Sequence, residues 1–169
     1  MSATQYCTED FLSSQTLDQV DETVAETFGL MLGLAALHDA ARVETQGGED
    51  ERTGLIGFSG ALRGSCEVRM DTAAAKTIAS AMLGGSPIEE GDENSINDAV
   101  GEISNMLAGG WKNRIDSLAG KCFLSPPTVI SGKSYKVHPS PASLKIVRHY
   151  VFEAHSFQIA INCVDFPVS

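Results

Sequence analysis

The sequence predicts an α+β domain in which about three helices pack on a sheet of about six strands. Three observations carry that prediction: helical periodicity at residues 16–33, 71–85 and 95–120, a hairpin pattern at 53–70, and four β-rich segments after residue 120. Most of the sheet is therefore expected from the C-terminal third. With 169 residues, the chain fits one domain able to bury roughly 70% of the surface its unfolded form exposes.

Taken in order, Leu17, Val20, Val24, Phe28 and Met31 recur at three- and four-residue steps from Thr16. This predicts a first helix with that stripe buried, ending near Gly33. "ETQGGEDER" (44–52) reads as a loop, and "TGLIGFSGALRGSCEVRM" (53–70) as two strands turning near Ser59 and Gly60. "DTAAAKTIASAMLGG" (71–85) is a second helix opened by Asp71 as N-cap and closed by Gly84 and Gly85. After the acidic loop "SPIEEGDEN" (86–94), Ser95 and Asp98 form a capping-box-like start for a third helix running to about Gly120. "KCFLSPPTVIS", "KSYKVH", "SLKIVRHYVFEA" and "HSFQIAINCVDF" then supply strands, the last an adhesive edge if left unpaired. Residues 1–15 are set apart as an N-terminal tail, and 16–169 form the domain.

Composition narrows the function. Twelve Lys plus Arg against twenty-two Asp plus Glu leave a net charge of −10, so nucleic acid and anionic membranes are repelled on average, and a protein or small molecule is the expected partner. No apolar run approaches the roughly 20 residues needed to cross a bilayer, and the N-terminus lacks a basic flank and an apolar core, so a cytoplasmic protein is expected. Cys7, Cys66, Cys122 and Cys163 include no C-x-x-C pair, and His38, His138, His149 and His155 include no H-E-x-x-H. Reduced thiols and surface or packing histidines are expected, and no metal site. Gly132, Lys133 and Ser134 spell the end of a phosphate-binding loop, but Pro127 stands where its first glycine belongs and a strand is expected to follow, so nucleotide binding is set aside.

The informative stretch is "DAVGEISNML" (98–107). At about 100° per residue, Glu102 falls about 40° from Asp98, Asn105 about 20° to the other side, and Gly109 about 20° away, a single narrow line. Ile96, Val100, Ile103, Leu107 and Leu118 cluster opposite, so the acids and the amide face solvent or a partner. Acidic stripes are usually solvated faces. Here Gly101, Ala108, Gly109 and Gly110 surround the stripe, although each glycine costs roughly 1 kcal/mol in helix stability relative to alanine. Missing side chains permit close approach by another molecule, which makes Gly101 and Gly109 an expected approach surface. An amide can donate and accept at once and so orient a water, while a carboxylate can pair with a cation. Such a pair positions a nucleophile rather than activating it, which is what phosphoryl transfer requires once a metal is supplied.

These residues resemble a known family. Asp98, then Glu102, then Asn105, then Pro127 twenty-two residues on match the Asp/Ser, Glu, Asn, Pro signature of the CheC, CheX and FliY phosphatases of bacterial chemotaxis. "GEISNMLAG…SPPTVISG" is most similar to the CheX branch. The resemblance implies a CheC/CheX-like single domain with a mostly antiparallel sheet. It also implies dephosphorylation of a phospho-aspartyl response regulator such as CheY, in chemotaxis or a related two-component pathway. Asn105 would orient the hydrolytic water and Glu102 would contact the regulator's lysine. Asp98 and Pro127 would complete the motif, Pro127 by setting the turn from the third helix into the sheet. The protein would have no cofactor of its own, the partner bringing magnesium, and a homodimer is implied. The alternative is a non-catalytic regulator-binding or flagellar-switch-like module of the same fold.

A shift of 76 residues aligns "VAETFGLMLG" (24–33) with "VGEISNMLAG" (100–109), so that Val24, Glu26 and Gly33 meet Val100, Glu102 and Gly109. Gly29 stands where Asn105 does. If the repeat is real, the first helix carries a dead copy of the site.

Overall fold

The computed structural model describes residues 14–42, 50–116, 118–138 and 144–165. Three helices, α1 (Ser14–Thr27), α2 (Thr72–Met82) and α3 (Glu93–Asn113), cover one face of a seven-stranded sheet. The strands are β1 (Leu37–His38), β2 (Glu51–Gly60), β3 (Arg63–Asp71), β4 (Cys122–Leu124), β5 (Thr128–Gly132), β6 (Leu144–Phe152) and β7 (His155–Asp165). Their order is β1-β6-β7-β3-β2-β4, with β5 also on β2, and every pairing is antiparallel. Relative to the six expected strands, β1, two residues long, is added, "KCFLSPPTVIS" splits into β4 and β5, and "KSYKVH" is lost. No helix among the described residues is long and apolar enough to cross a membrane.

The order contains a hidden symmetry. Replacing α1, β1, β2 and β3 by α3, β5, β6 and β7 turns β1-β6-β7-β3-β2-β5 into the same series read backwards. The topology is thus an internal repeat with a pseudo-two-fold between β3 and β7, which pair centrally; the 76-residue offset belongs to the helices, since the equivalent strands start 91 to 93 residues apart.

The first helix departs from its predicted period at its end. Phe28–Leu32 form a π-helical turn in which the Gly33 N–H donates to the Phe28 carbonyl, five residues back, and Gly33 closes it at φ +65°. The wider turn carries the buried stripe Val20, Val24, Phe28 on to Leu32, and leaves Met31 61% exposed, correcting the expectation that Met31 is buried. Phe28 stacks on Phe157 with ring centroids 4.9 Å apart and tilts against Phe152 at 5.2 Å.

Other boundaries shift for identifiable reasons. Glu51 and Arg52, read as loop, open β2 because they pair with Asp71 and Met70 of β3 and with Gly132 and Ser131 of β5; residues 44–49 of that loop lie outside the described residues, as do 1–13 of the expected tail. Asp71 caps α2 as expected, accepting from the Ala74 N–H at 2.7 Å, and Gly84 and Gly85 follow with positive φ. "KSYKVH" forms no strand: Lys133 and Ser134 bend, and Tyr135 crosses the sheet face opposite the helices, its hydroxyl 2.6 Å from Thr53 Oγ1 and its ring under the Arg69 guanidinium. "HSFQIAINCVDF" becomes β7, paired on both sides by β3 and β6, so it is no adhesive edge.

Candidate functional site

The site is a helix face, and β2 sets where that helix lies. The core-facing residues Arg52, Gly54 and Phe58 meet α3 in turn. Arg52 pairs with Glu93 at 2.5 Å, Gly54 lies against Ser104, and the Phe58 ring is 5.8 Å from that of Trp111. The first turn is capped by Asp92 rather than by Ser95: its carboxylate accepts from the Ser95 N–H at 3.2 Å and from the Ser95 hydroxyl at 2.6 Å. Those bonds, the hydroxyl's first, hold the Asp92 carboxyl below its ordinary range. Two residues of the acidic run thus have structural roles, Asp92 as cap and Glu93 as ion-pair partner.

The helix ends at Asn113 rather than near Gly120, because Arg114–Asp116 and Leu118–Lys121 form turns that return the chain to β4. Ile96, Val100, Ile103 and Leu107 are all buried, as their spacing predicts; Leu118 is buried too, but from the turns that follow the helix. The opposite side carries Asp98 and Glu102, both exposed, and Asn105, half-buried. None of these three side chains makes a hydrogen bond or ion pair with another described residue. They are held by the helix backbone and remain available to another molecule.

Pro127 joins this face from the sheet. β2 pairs with β4 at Phe58–Gly60 and with β5 at Glu51–Leu55. In the gap, Ser125, Pro126 and Pro127 stand opposite two residues of β2, with the Gly57 N–H donating to Ser125 Oγ at 2.8 Å and the Ser125 N–H to the Gly57 carbonyl at 2.9 Å. Prolines have no N–H for a ladder, so the pair suits this break. Pro127 therefore sits between two strands, not at the turn from the third helix into the sheet. Its ring lies 3.5 Å from where a Cβ on Gly101 would stand.

That contact corrects one expectation. Gly101 is buried under Pro127 and Val129 of its own chain, and a Cβ on Gly110 would come 2.9 Å from Thr23 of α1. Ala108 is buried too. The small residues around the stripe mostly serve packing within the molecule; Gly109, half-buried beside Leu124, remains partly open.

On α1, Glu26 occupies the place of Glu102 but is ion-paired with Arg114, whose carbonyl also accepts from Gln19 Nε2. Gly29, in the place of Asn105, has nothing within 4 Å of a Cβ position. Among the described residues no three His, Cys, Asp or Glu side chains gather as a metal site. Lys133 and Ser134 lie in the bend between β5 and Tyr135, and no helix follows them among the described residues.

The family model for the chemotaxis phosphatase CheX matches residues 52–149, which include the whole of α3 and Pro127. The chain belongs to the CheX family. Membership in this family of phosphatases places it among the hydrolases. It is 33% identical over 108 residues to the CheY-P phosphatase CheX of Thermotoga maritima, an alignment covering 64% of this chain and 68% of that one. The fold is similar to that of Vibrio vulnificus CheX (TM-score 0.73, 25% identity, covering 89% and 97% of the two chains). It also resembles the CheX in a Borrelia burgdorferi CheX-CheY-BeF3-Mg2+ complex (TM-score 0.63, 16% identity, covering 89% and 98%). The CheX-branch resemblance rests on α3 and Pro127, and the second copy of the helix lacks the amide. Sequence reasoning missed Arg114 as the partner of Glu26 and Gly54 as the seat of α3, although a glycine inside a strand signals close approach by another backbone.

Proposed function

We propose that this chain hydrolyses the phospho-aspartate of a CheY-type response regulator, in chemotaxis or a related two-component pathway, by presenting Glu102 and Asn105 to the regulator's active site. The carrying observation is the outward stripe of Asp98, Glu102 and Asn105, unpaired among the described residues, on a helix whose other face is buried. The name of the Thermotoga relative supports the reaction, and the Borrelia complex of a CheX with CheY supports the class of partner.

In this reading Asn105 uses its amide to hold a water in line with the phosphorus, donating with its NH2 and accepting with its carbonyl. Glu102 offers a carboxylate to a cationic side chain beside the phosphoryl group, docking the partner. Magnesium and the phosphoryl group belong to the regulator. Asp98 lies one turn before Glu102 on the same line, and Pro127 props the helix at Gly101. A homodimer belongs to the same proposal, formed through the sheet's free edges at β1 or β4–β5; a monomer mass by light scattering at micromolar concentration would rule it out.

The test is the decay of a phosphorylated regulator from the same cell, in magnesium, with catalytic amounts of wild type or Asn105→Ala. Acceleration by wild type that disappears in the variant supports hydrolysis through an oriented water. Binding without acceleration would make the stripe a docking surface of a non-catalytic module.

A further inference from the structure

We propose that the contact between Gly54 of β2 and Ser104 of α3 is a positioning device that sets the depth and rotation at which Asn105 meets its partner. This rests on the reading of Asn105 given above.

A Cβ on Gly54 would stand 1.9 Å from Ser104 Oγ, 2.7 Å from Ser104 Cβ and 3.1 Å from the Val100 carbonyl oxygen. No other residue fits at position 54 unless the helix lifts or the strand yields. The strand is held on both sides, since Gly54 pairs with Val68 of β3 and with Val129 of β5. The helix is therefore the part that would move, and Asn105 is the next residue along it.

Ser104 is fully buried and donates its hydroxyl to the Val100 carbonyl, four residues back, at 2.7 Å. A serine bonded this way bends a helix locally. That bond spans the turn that carries Glu102 and leads into Asn105. From the sheet's edge, Pro127 and Val129 both stand 3.5 Å from the Cβ position of Gly101, limiting rotation of the same turn.

The pseudo-symmetric helix provides a contrast. The residue aligned with Ser104 by the 76-residue shift is Phe28, which rests on the sheet through a ring stacked on Phe157. The copy that has lost its amide thus stands on a phenyl group, and the copy that keeps it lies on bare glycine backbone. Water orientation is sensitive to such placement, since a displacement of about 1 Å can cost on the order of 100-fold in rate.

The test is steady-state phosphate release from the cell's own CheY-type regulator, phosphorylated with acetyl phosphate in magnesium. The proteins are wild type, Gly54→Ala, the size swap Gly54→Ala/Ser104→Gly, and Asn105→Ala. Gly54→Ala is expected to lower kcat by about 10- to 100-fold with KM within about threefold, because docking spans a wide surface while the water depends on one amide. The size swap, which makes room for the new methyl group, is expected to restore kcat to within about fivefold of wild type. Wild-type kcat in Gly54→Ala, or an equal loss in both variants when both keep the wild-type far-UV circular dichroism, overturns the proposal. If Gly54→Ala does not fold, Ser104→Cys presses a larger atom onto Gly54, and an undiminished kcat there overturns it. Lost hydrolysis in Asn105→Ala beside full activity in Gly54→Ala removes the seat alone; retained hydrolysis in Asn105→Ala removes the site reading and the seat with it.

Discussion

Glu102 and Glu26 are the same residue type at equivalent points of two pseudo-symmetric helices, and their neighbours give them different fates. Arg114, reaching across from the end of α3, pairs with Glu26, while Glu102 has no such partner among the described residues. Replacing Glu26 by Gln should leave hydrolysis of a phosphorylated regulator unchanged and shift stability by no more than about 1 kcal/mol, as for other exposed ion pairs. Glu102→Gln should lower kcat/KM at least about tenfold, near 1.4 kcal/mol of transition-state stabilisation. Both are read from phosphate-release kinetics and thermal melts, and equal kinetic effects of the two would contradict the single-site reading. Spacing alone revealed Glu102 and Asn105 as one stripe, because helical period is a local property. The pairing of Glu26 was invisible, since its arginine lies 88 residues away.

At the scale of elements, the start of α3 shows how local signals compete. The spacing of Ser95 and Asp98 predicts a cap at Ser95, but a carboxylate three residues before Ser95 caps as well as a hydroxyl does. Asp92 is the cap, and the first turn it opens brings Glu93 to Arg52 on the neighbouring strand. Asp92→Ala should therefore lower the urea midpoint of unfolding, whereas Asp98→Ala should leave it unchanged while altering regulator binding; the reverse order would restore the Ser95 start. The π-helical turn of α1 belongs to the same class of surprise. Leu30, Met31 and Leu32 are all apolar, so the pattern could not say which one faces the core until the sheet was present. Similarly, "KCFLSPPTVIS" reads as one strand, but its prolines divide it into β4 and β5, which both pair with β2, a strand more than 60 residues earlier.

For the whole molecule, three cysteines report the integrity of the core. Cys66, Cys122 and Cys163 are buried thiols in no disulfide; burial, helped by Glu67, pushes Cys66 from 9.0 up to about 12, and burial, with Cys122 adding to it, takes Cys163 to about 12. A thiol whose pKa is raised by folding keeps its proton in the native state and loses it sooner in the unfolded chain. The stability it contributes is complete below pH 9 and declines as the pH rises from 9 towards 12. Melting temperature should therefore fall progressively above pH 9. In Cys7→Ser protein at pH 8, Ellman's reagent should react slowly with the native fold and fully in urea, since the thiolate is the nucleophile. Rapid reaction of the folded protein would contradict this burial.

The sequence by itself determined the α+β class, the three helices, the hairpin and the stripe, because each follows from residue periodicity and turn chemistry within a short window. The family motif was legible for the same reason, its helical part lying within eight residues of one another. Only the tertiary structure decided that β7 lies at the centre rather than the edge, that Gly101 is covered by Pro127, and that α3 rests on Gly54. Those outcomes depend on which distant segments share a hydrogen-bond ladder or a packing contact, and no local pattern carries that information.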